Sequence, residues 1–191
     1  MTIATTSPVT GEVLKQFDEL SPEELEDKLQ RAAVAAASYR LTKHEQRAEW
    51  LSRAADVLEE DSATVSELIT TEIGKTLRSA TDEVAKCVAS LRFYSENGPR
   101  FLRDDDGDAA AVGAQRTFVT RQPLGVVLAV MPWNFPLWQA MRFAAPALMA
   151  GNVGVLKHAS NVPQTALYME QLFREAGFPD DVFQTLLISS G

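Results

Sequence analysis

Cysteine and histidine are scarce in this 191-residue chain: there is one of the first and two of the second. One cysteine excludes an intramolecular disulfide framework and a cysteine-rich zinc site, and it suits a reducing compartment. Two histidines lend a metal site little support. No apolar run reaches the ~20 residues needed to cross a bilayer. The start, Met1-Thr2-Ile3-Ala4-Thr5-Thr6, lacks the basic-then-apolar layout of a signal peptide. Positive charge is also short: 18 Lys and Arg stand against 26 Asp and Glu, a net charge of −8, with no basic run. That balance argues against nucleic acid or an anionic membrane as partner. What remains is ordinary globular composition, 46% hydrophobic and 23% charged, at a length of one domain or one and a part. The expectation is a soluble cytoplasmic protein.

The first hundred residues read mainly as helices. Ser7-Pro8-Val9-Thr10-Gly11-Glu12 is a turn between two short strands. Ser21-Pro22-Glu23-Glu24 is a helix start with Ser at the N-cap, Pro at the first position and Glu at the third. Further helices are expected at 44–61, at 62–73 with a stop at Gly74, and at 76–97 with a stop at Gly98-Pro99. Residues 104–113 form an acidic, small-residue loop, a boundary or a projecting hairpin tip, and 116–121 alternate like an exposed strand. The four crowded acids lack the ligand spacing of a calcium loop.

The pattern then changes to buried-type strands at 125–131, 152–156 and 182–188, separated by helices at 136–150 and 163–176. Strand, helix, strand, helix, strand implies a parallel βαβαβ sheet with right-handed crossovers. The fold class is α/β: a helical layer over 1–103, an acidic loop and projecting strand over 104–122, and a nucleotide-binding type of sheet over 123–191.

Ligands in such a sheet bind beyond the carboxyl ends of the strands. Three segments lie there: Met131-Pro132-Trp133-Asn134-Phe135-Pro136, Lys157-His158-Ala159-Ser160-Asn161, and Ser189-Ser190-Gly191. The first strand-to-helix turn lacks G-x-G-x-x-G, and Ile73-Gly74-Lys75-Thr76 lacks the upstream glycine and strand of a phosphate-binding loop. Asn134 is either a turn asparagine or a neutral N–H donor aimed at a developing oxyanion. Lys157 is either a solvated loop lysine or a donor to sugar hydroxyls or phosphate. Arg142, in an otherwise apolar helix, is either a surface residue or an anchor for an anionic substrate. Cys87 has apolar neighbours at helical spacing and no histidine to activate it, so it reads as a small buried hydrophobe.

Met131-Pro132-Trp133-Asn134-Phe135-Pro136, followed by Pro146-Ala147-Leu148-Met149-Ala150-Gly151-Asn152 and a strand ending in Lys157, resembles the N-terminal part of an aldehyde dehydrogenase. Within that family the resemblance points to the succinate-semialdehyde dehydrogenase group. Thr71-Glu72-Ile73-Gly74-Lys75 and Glu175-Ala176-Gly177-Phe178-Pro179 extend it over essentially the whole chain.

The resemblance implies an incomplete family fold in which Asn134 is the side-chain oxyanion donor. Met131, Pro132 and Trp133 would border the cofactor's ribose and pyrophosphate, with Lys157, His158, Ala159 and Ser160 on its adenosine side. Ser160 stands where NAD-preferring members often carry a glutamate, so NADP is tolerated and NAD is the alternative cofactor. Arg142 would hold the carboxylate of succinate semialdehyde. His158 departs from the proline usual at its position.

The resemblance also implies that the catalytic domain, with the nucleophilic cysteine, the general-base glutamate and the glycine-bearing helix near the pyrophosphate, lies beyond residue 191. Homo-oligomers would be expected of the complete enzyme and no turnover of this chain alone. The rival readings are a non-catalytic dinucleotide-binding or assembly module, and a truncated product with no independent role.

Overall fold

Ser21 starts the first helix as its sequence requires. Its hydroxyl accepts from Glu24 N–H at 3.2 Å and the Glu24 carboxylate accepts from Ser21 N–H at 2.8 Å, a reciprocal capping box. A computed structural model describes residues 3–189, so Met1, Thr2 and the expected ligand-facing pair Ser190-Gly191 lie outside the described residues.

The order is β1 (Ile3–Thr6), β2 (Val13–Phe17), α1 (Pro22–Tyr39), α2 (His44–Glu60), α3 (Ser62–Ile73), α4 (Leu77–Phe101), β3 (Asp105–Asp106), β4 (Phe118–Val119), β5 (Val126–Met131), α5 (Pro136–Met149), β6 (Val153–His158), α6 (Pro163–Glu175) and β7 (Phe183–Thr185). β1 and β2 pair antiparallel, β3 and β4 form a second antiparallel pair, and β5-β6-β7 make a parallel sheet with β6 in the centre. The chain is therefore mixed α/β with a parallel βαβαβ sheet. One continuous core joins the helices of the first half to the sheet, from Ala32 to Leu186. Among the described residues no helix is long and apolar enough to cross a membrane.

Four boundaries differ from expectation. α4 does not stop at Gly98-Pro99 but runs on to Phe101. Proline there forfeits one hydrogen bond, and Gly98 serves a close approach: a Cβ built on it would collide with the Met149 side chain of α5. β7 covers only Phe183–Thr185, and the exposed strand at 116–121 shrinks to Phe118–Val119. The acidic loop contributes Asp105–Asp106 as β3. β5 is not a buried-type strand. Leu128 is 60% and Val130 68% exposed, so only the face carrying Ala129 is packed. Gly74 does end α3, with φ +71, and a Cβ there would meet Pro8 at 2.9 Å.

Candidate active site

Parallel pairing of β5 with β6 puts Val130 opposite Lys157 and Met131 opposite His158. The carboxyl ends of the two strands therefore stand side by side, and each feeds a turn into a helix. After β5 come Pro132, Trp133, Asn134 and Phe135, all exposed. After β6 come Ala159 and Ser160, both half-buried. Ala159 N–H donates to Met131 C=O at 3.1 Å and ties the two turns together. The structure thus brings together Met131, Lys157, His158 and Ala159, with Asn134 and Ser160 on the adjoining turns.

Neither helix after these turns has a cap of its own. Phe135 precedes α5 and Val162 precedes α6, and neither offers a side-chain acceptor to the free N–H groups of the first turn. Two buried glutamates from the helical layer take that place. Glu83 of α4 accepts from Leu137 N–H at 3.0 Å and Trp138 N–H at 2.9 Å through Oε1, while Oε2 pairs with Lys75. Glu72 of α3 accepts from Gln164 N–H at 2.8 Å and Thr165 N–H at 3.0 Å, and from the Thr5 and Thr165 hydroxyls at 2.9 and 2.6 Å. Burial pushes the Glu72 carboxyl up, and these four hydrogen bonds oppose the rise. A carboxylate at each helix N-terminus is favourable for the helix. It also fills the position where a phosphate would otherwise sit, so neither α5 nor α6 can cradle a pyrophosphate at its head.

His158 is turned into the fold. Nδ1 lies 2.9 Å from Ala159 N–H, which can only donate, so Nδ1 accepts and the proton sits on Nε2, 2.8 Å from Pro136 C=O. Burial pushes the imidazole down from its ordinary range and keeps it neutral. Its ring pins the head of α5 to the end of β6.

Ser160 Oγ is buried and has no hydrogen-bond partner among the described residues. Ser160 lines a small, largely apolar recess with Ile3, Pro163, Ala166 and Leu186, and the turn that carries it holds no carboxylate. Arg142 is exposed on α5, one helical turn beyond Trp138 on the less buried face. A cavity of about 160 Å³ between α4 and the head of α5 is lined by Ser79, Asp82, Glu83, Lys86, Phe135 and Trp138, without Arg142. Lys86 Nζ stands 4.1 Å from the Trp138 ring centroid and Lys75 Nζ 3.8 Å from that of Phe135. Larger openings of about 280 and 440 Å³ around Arg31, Asp180 and Asp181 lie before β7, at the other end of the strands. Cys87 is fully buried and burial pushes its thiol well up, which leaves it unreactive. No metal-binding cluster occurs among the described residues.

The opposite end of α5 is held as firmly. Gly151, at φ +88, donates to Leu148 C=O and Asn152 N–H to Ala147 C=O, each at 3.0 Å, a Schellman ending. Arg47 of α2, 3% exposed, donates to Met149 C=O at 3.3 Å, Arg40 C=O at 3.1 Å and Thr42 C=O at 2.7 Å. Asn152 Oδ1 accepts from Leu124 N–H at 2.7 Å and Gly125 N–H at 3.2 Å, joining this end to the entry of β5. Glu72, Glu83 and Arg47 carry no role in a reading of the sequence, although Glu72 lies in one of the stretches that resemble the family. The Gly151-Asn152 pair was visible there only as a motif.

Comparison with known proteins follows the same lines. Over 190 residues the chain is 55% identical to the succinate-semialdehyde dehydrogenase [NADP(+)] of Mycobacterium leprae, and over 191 residues 53% identical to succinate-semialdehyde dehydrogenase [NADP(+)] 1 of Mycobacterium tuberculosis. All of the chain is covered in both, but only 42% of each relative. The crystal structure of succinic semialdehyde dehydrogenase from Streptococcus pyogenes with NADP+ superposes with a TM-score of 0.91 at 35% identity, covering 98% of this chain and 41% of that one. The solved structure of Gox0499 gives 0.94 at 37% identity, covering 100% and 41%. With the aldehyde dehydrogenase family model matching residues 1–190 as well, the chain belongs to the aldehyde dehydrogenase family.

Proposed function

We propose that these residues form the N-terminal portion of an NADP-dependent dehydrogenase that oxidises succinate semialdehyde to the acid. The observation that carries the reading is the register of β5 on β6, which stands the Asn134 turn beside the Lys157–Ser160 turn at the carboxyl end of the sheet. When a thiolate adds to the aldehyde, the carbonyl oxygen becomes an anion, and the Asn134 amide supplies a neutral donor that needs no proton transfer. Lys157 and Ser160 meet the adenosine-side ribose and its 2′-phosphate, and Met131, Pro132 and Trp133 border the rest of the cofactor. Bound NADP+ supplies the hydride acceptor. Arg142 offers a fixed fork of donors to the substrate's distal carboxylate. Exposed Phe118 and Val119 on β4 support assembly of the whole enzyme through the β3–β4 hairpin.

The lone cysteine is buried and inert, so the 191 residues alone are expected to yield no NADPH from succinate semialdehyde. NADP should nevertheless bind. At a concentration of about 100 Kd, binding to the folded state adds about 2.7 kcal/mol, or roughly 5–10 °C in Tm. Ser160→Glu should abolish that shift for NADP and spare it for NAD. A carboxylate ~4 Å from the 2′-phosphate costs about 4 kcal/mol per pair of unit charges at an effective dielectric of ~20. No shift at millimolar NADP in the parent chain would count against the reading.

Activity is tested in a chimera in which residues 1–190 replace the matching part of the M. leprae enzyme. Arg142→Ala should raise KM for succinate semialdehyde by about 10–100-fold, the loss of a charge-assisted contact of ~1.5–3 kcal/mol. KM for an uncharged aldehyde should stay the same. An equal rise for both would remove Arg142 from the substrate site.

A further inference from the structure

We propose that Glu83 is a positioning residue for Asn134, holding the turn that carries the amide in the geometry an oxyanion donor needs. The proposal rests on the reading of Asn134 given above.

An oxyanion donor works only if it is already oriented when charge develops, yet the Asn134 turn has little in its own sequence to orient it. Asn134 is exposed, the turn belongs to neither strand nor helix, and Phe135 reaches α5 with φ −139 and ψ 74 and no side-chain cap. The order comes from outside. On the strand side, Met131 C=O is held by Ala159 N–H. On the helix side, His158 Nε2–H holds Pro136 C=O, and Glu83 Oε1 holds the next two N–H groups, those of Leu137 and Trp138. The other oxygen of Glu83 binds Lys75, whose ammonium lies over the ring of Phe135, the neighbour of Asn134. One buried carboxylate, its side chain 1% exposed, thus reaches the turn by two routes. Removing it frees the first turn of α5 while the β5–β6 ladder stays in place.

Glu72 is the control built into the molecule. It performs the same task at the head of α6, and its hydrogen bonds among the described residues go to Thr5, Gln164 and Thr165. Glutamates that merely stabilised the fold would give the same result at either site.

The test is amide hydrogen exchange and the backbone NMR signals of Asn134, measured on the 191-residue chain. In Glu83→Ala, exchange at Leu137 and Trp138 should accelerate by about 10–100-fold, as a local opening does. The amides of Gln164 and Thr165 should keep their rates, and the Asn134 signals should move to random-coil positions. Glu83→Gln keeps one carbonyl acceptor and should restore most of the protection and the dispersed Asn134 signals. It also gives the reading if the alanine variant unfolds. Glu72→Gln should leave the Asn134 signals where they are.

Unchanged exchange at Leu137 and Trp138 in Glu83→Ala would overturn the proposal. So would an equal loss of protection at both helix heads, Asn134 signals indifferent to Glu83, or, with the alanine variant unfolded, Glu83→Gln signals at random-coil positions. In the chimera, Glu83→Ala should lower kcat with KM for NADP unchanged, and Glu83→Gln should recover it. If Asn134→Ala leaves kcat intact, the reading of Asn134 fails, while the exchange data still decide what Glu83 holds.

Discussion

Asn134→Ala in the chimera should lower kcat by about 10²–10³-fold, the usual loss when one oxyanion donor is removed. KM for NADP should change little. The side chain is exposed and makes no hydrogen bond among the described residues; the backbone of the turn is fixed by Met131, Pro136, Leu137 and Trp138. Truncation therefore leaves the fold intact and removes only a donor that acts once the carbonyl oxygen gains charge. Equal Tm for parent and variant, set against the fall in kcat, is the expected signature. Asn134→Asp should be at least as slow, because an acceptor-only carboxylate replaces the N–H donor. Activity within threefold of the parent in Asn134→Ala would assign the oxyanion to another group.

Arg47→Met should be the most destabilising single change in the helical layer, about 3–5 kcal/mol, or roughly 6–20 °C in Tm. Methionine fills much of the same volume but strands the buried carbonyl of Met149 and the part-buried ones of Arg40 and Thr42, and removes a positive charge from the carboxyl ends of α1 and α5. Tyr39 remains, its hydroxyl on Leu148 C=O at 2.9 Å, so α5 keeps part of its ending. Gly151→Ala should reproduce much of this loss by another route. A Cβ on Gly151 would lie 2.7 Å from Arg47 Nη1, and φ +88 is itself unfavourable for alanine. Since both substitutions act on one contact, the double variant should fall short of the sum by about 1 kcal/mol or more. Strict additivity in chemical denaturation would show that Gly151 serves its turn alone.

What could be read from the sequence was what depends on near neighbours. The Ser21–Glu24 box spans four residues, and Gly74 announces its left-handed backbone by following a helical run. The alternation of strands and helices after residue 123 was equally plain, and so were the turns that carry Asn134 and Lys157. The failures share one cause, partners far along the chain. Gly98-Pro99 reads as a stop, yet the helix runs on to Phe101, and the glycine is there because Met149 of α5 packs against it. Val126–Met131 is apolar throughout, so its composition cannot say which face is covered. Glu83 lies 54 residues from Leu137, Glu72 93 from Thr165, and Arg47 102 from Met149. Those charged side chains look like solvated helix residues until the sheet is folded against them.

The borrowed caps also set an order of events during synthesis. At about 5–20 residues per second, Glu83 leaves the ribosome roughly 3–11 s before Leu137, the first amide it will bind. Through that interval both glutamates face water on a helical layer that cannot yet close, and docking of the sheet is the step that dries them. The 123–191 segment is therefore not an interchangeable cartridge. Grafted onto another scaffold it would arrive with two uncapped helices and would need an acid supplied at each head.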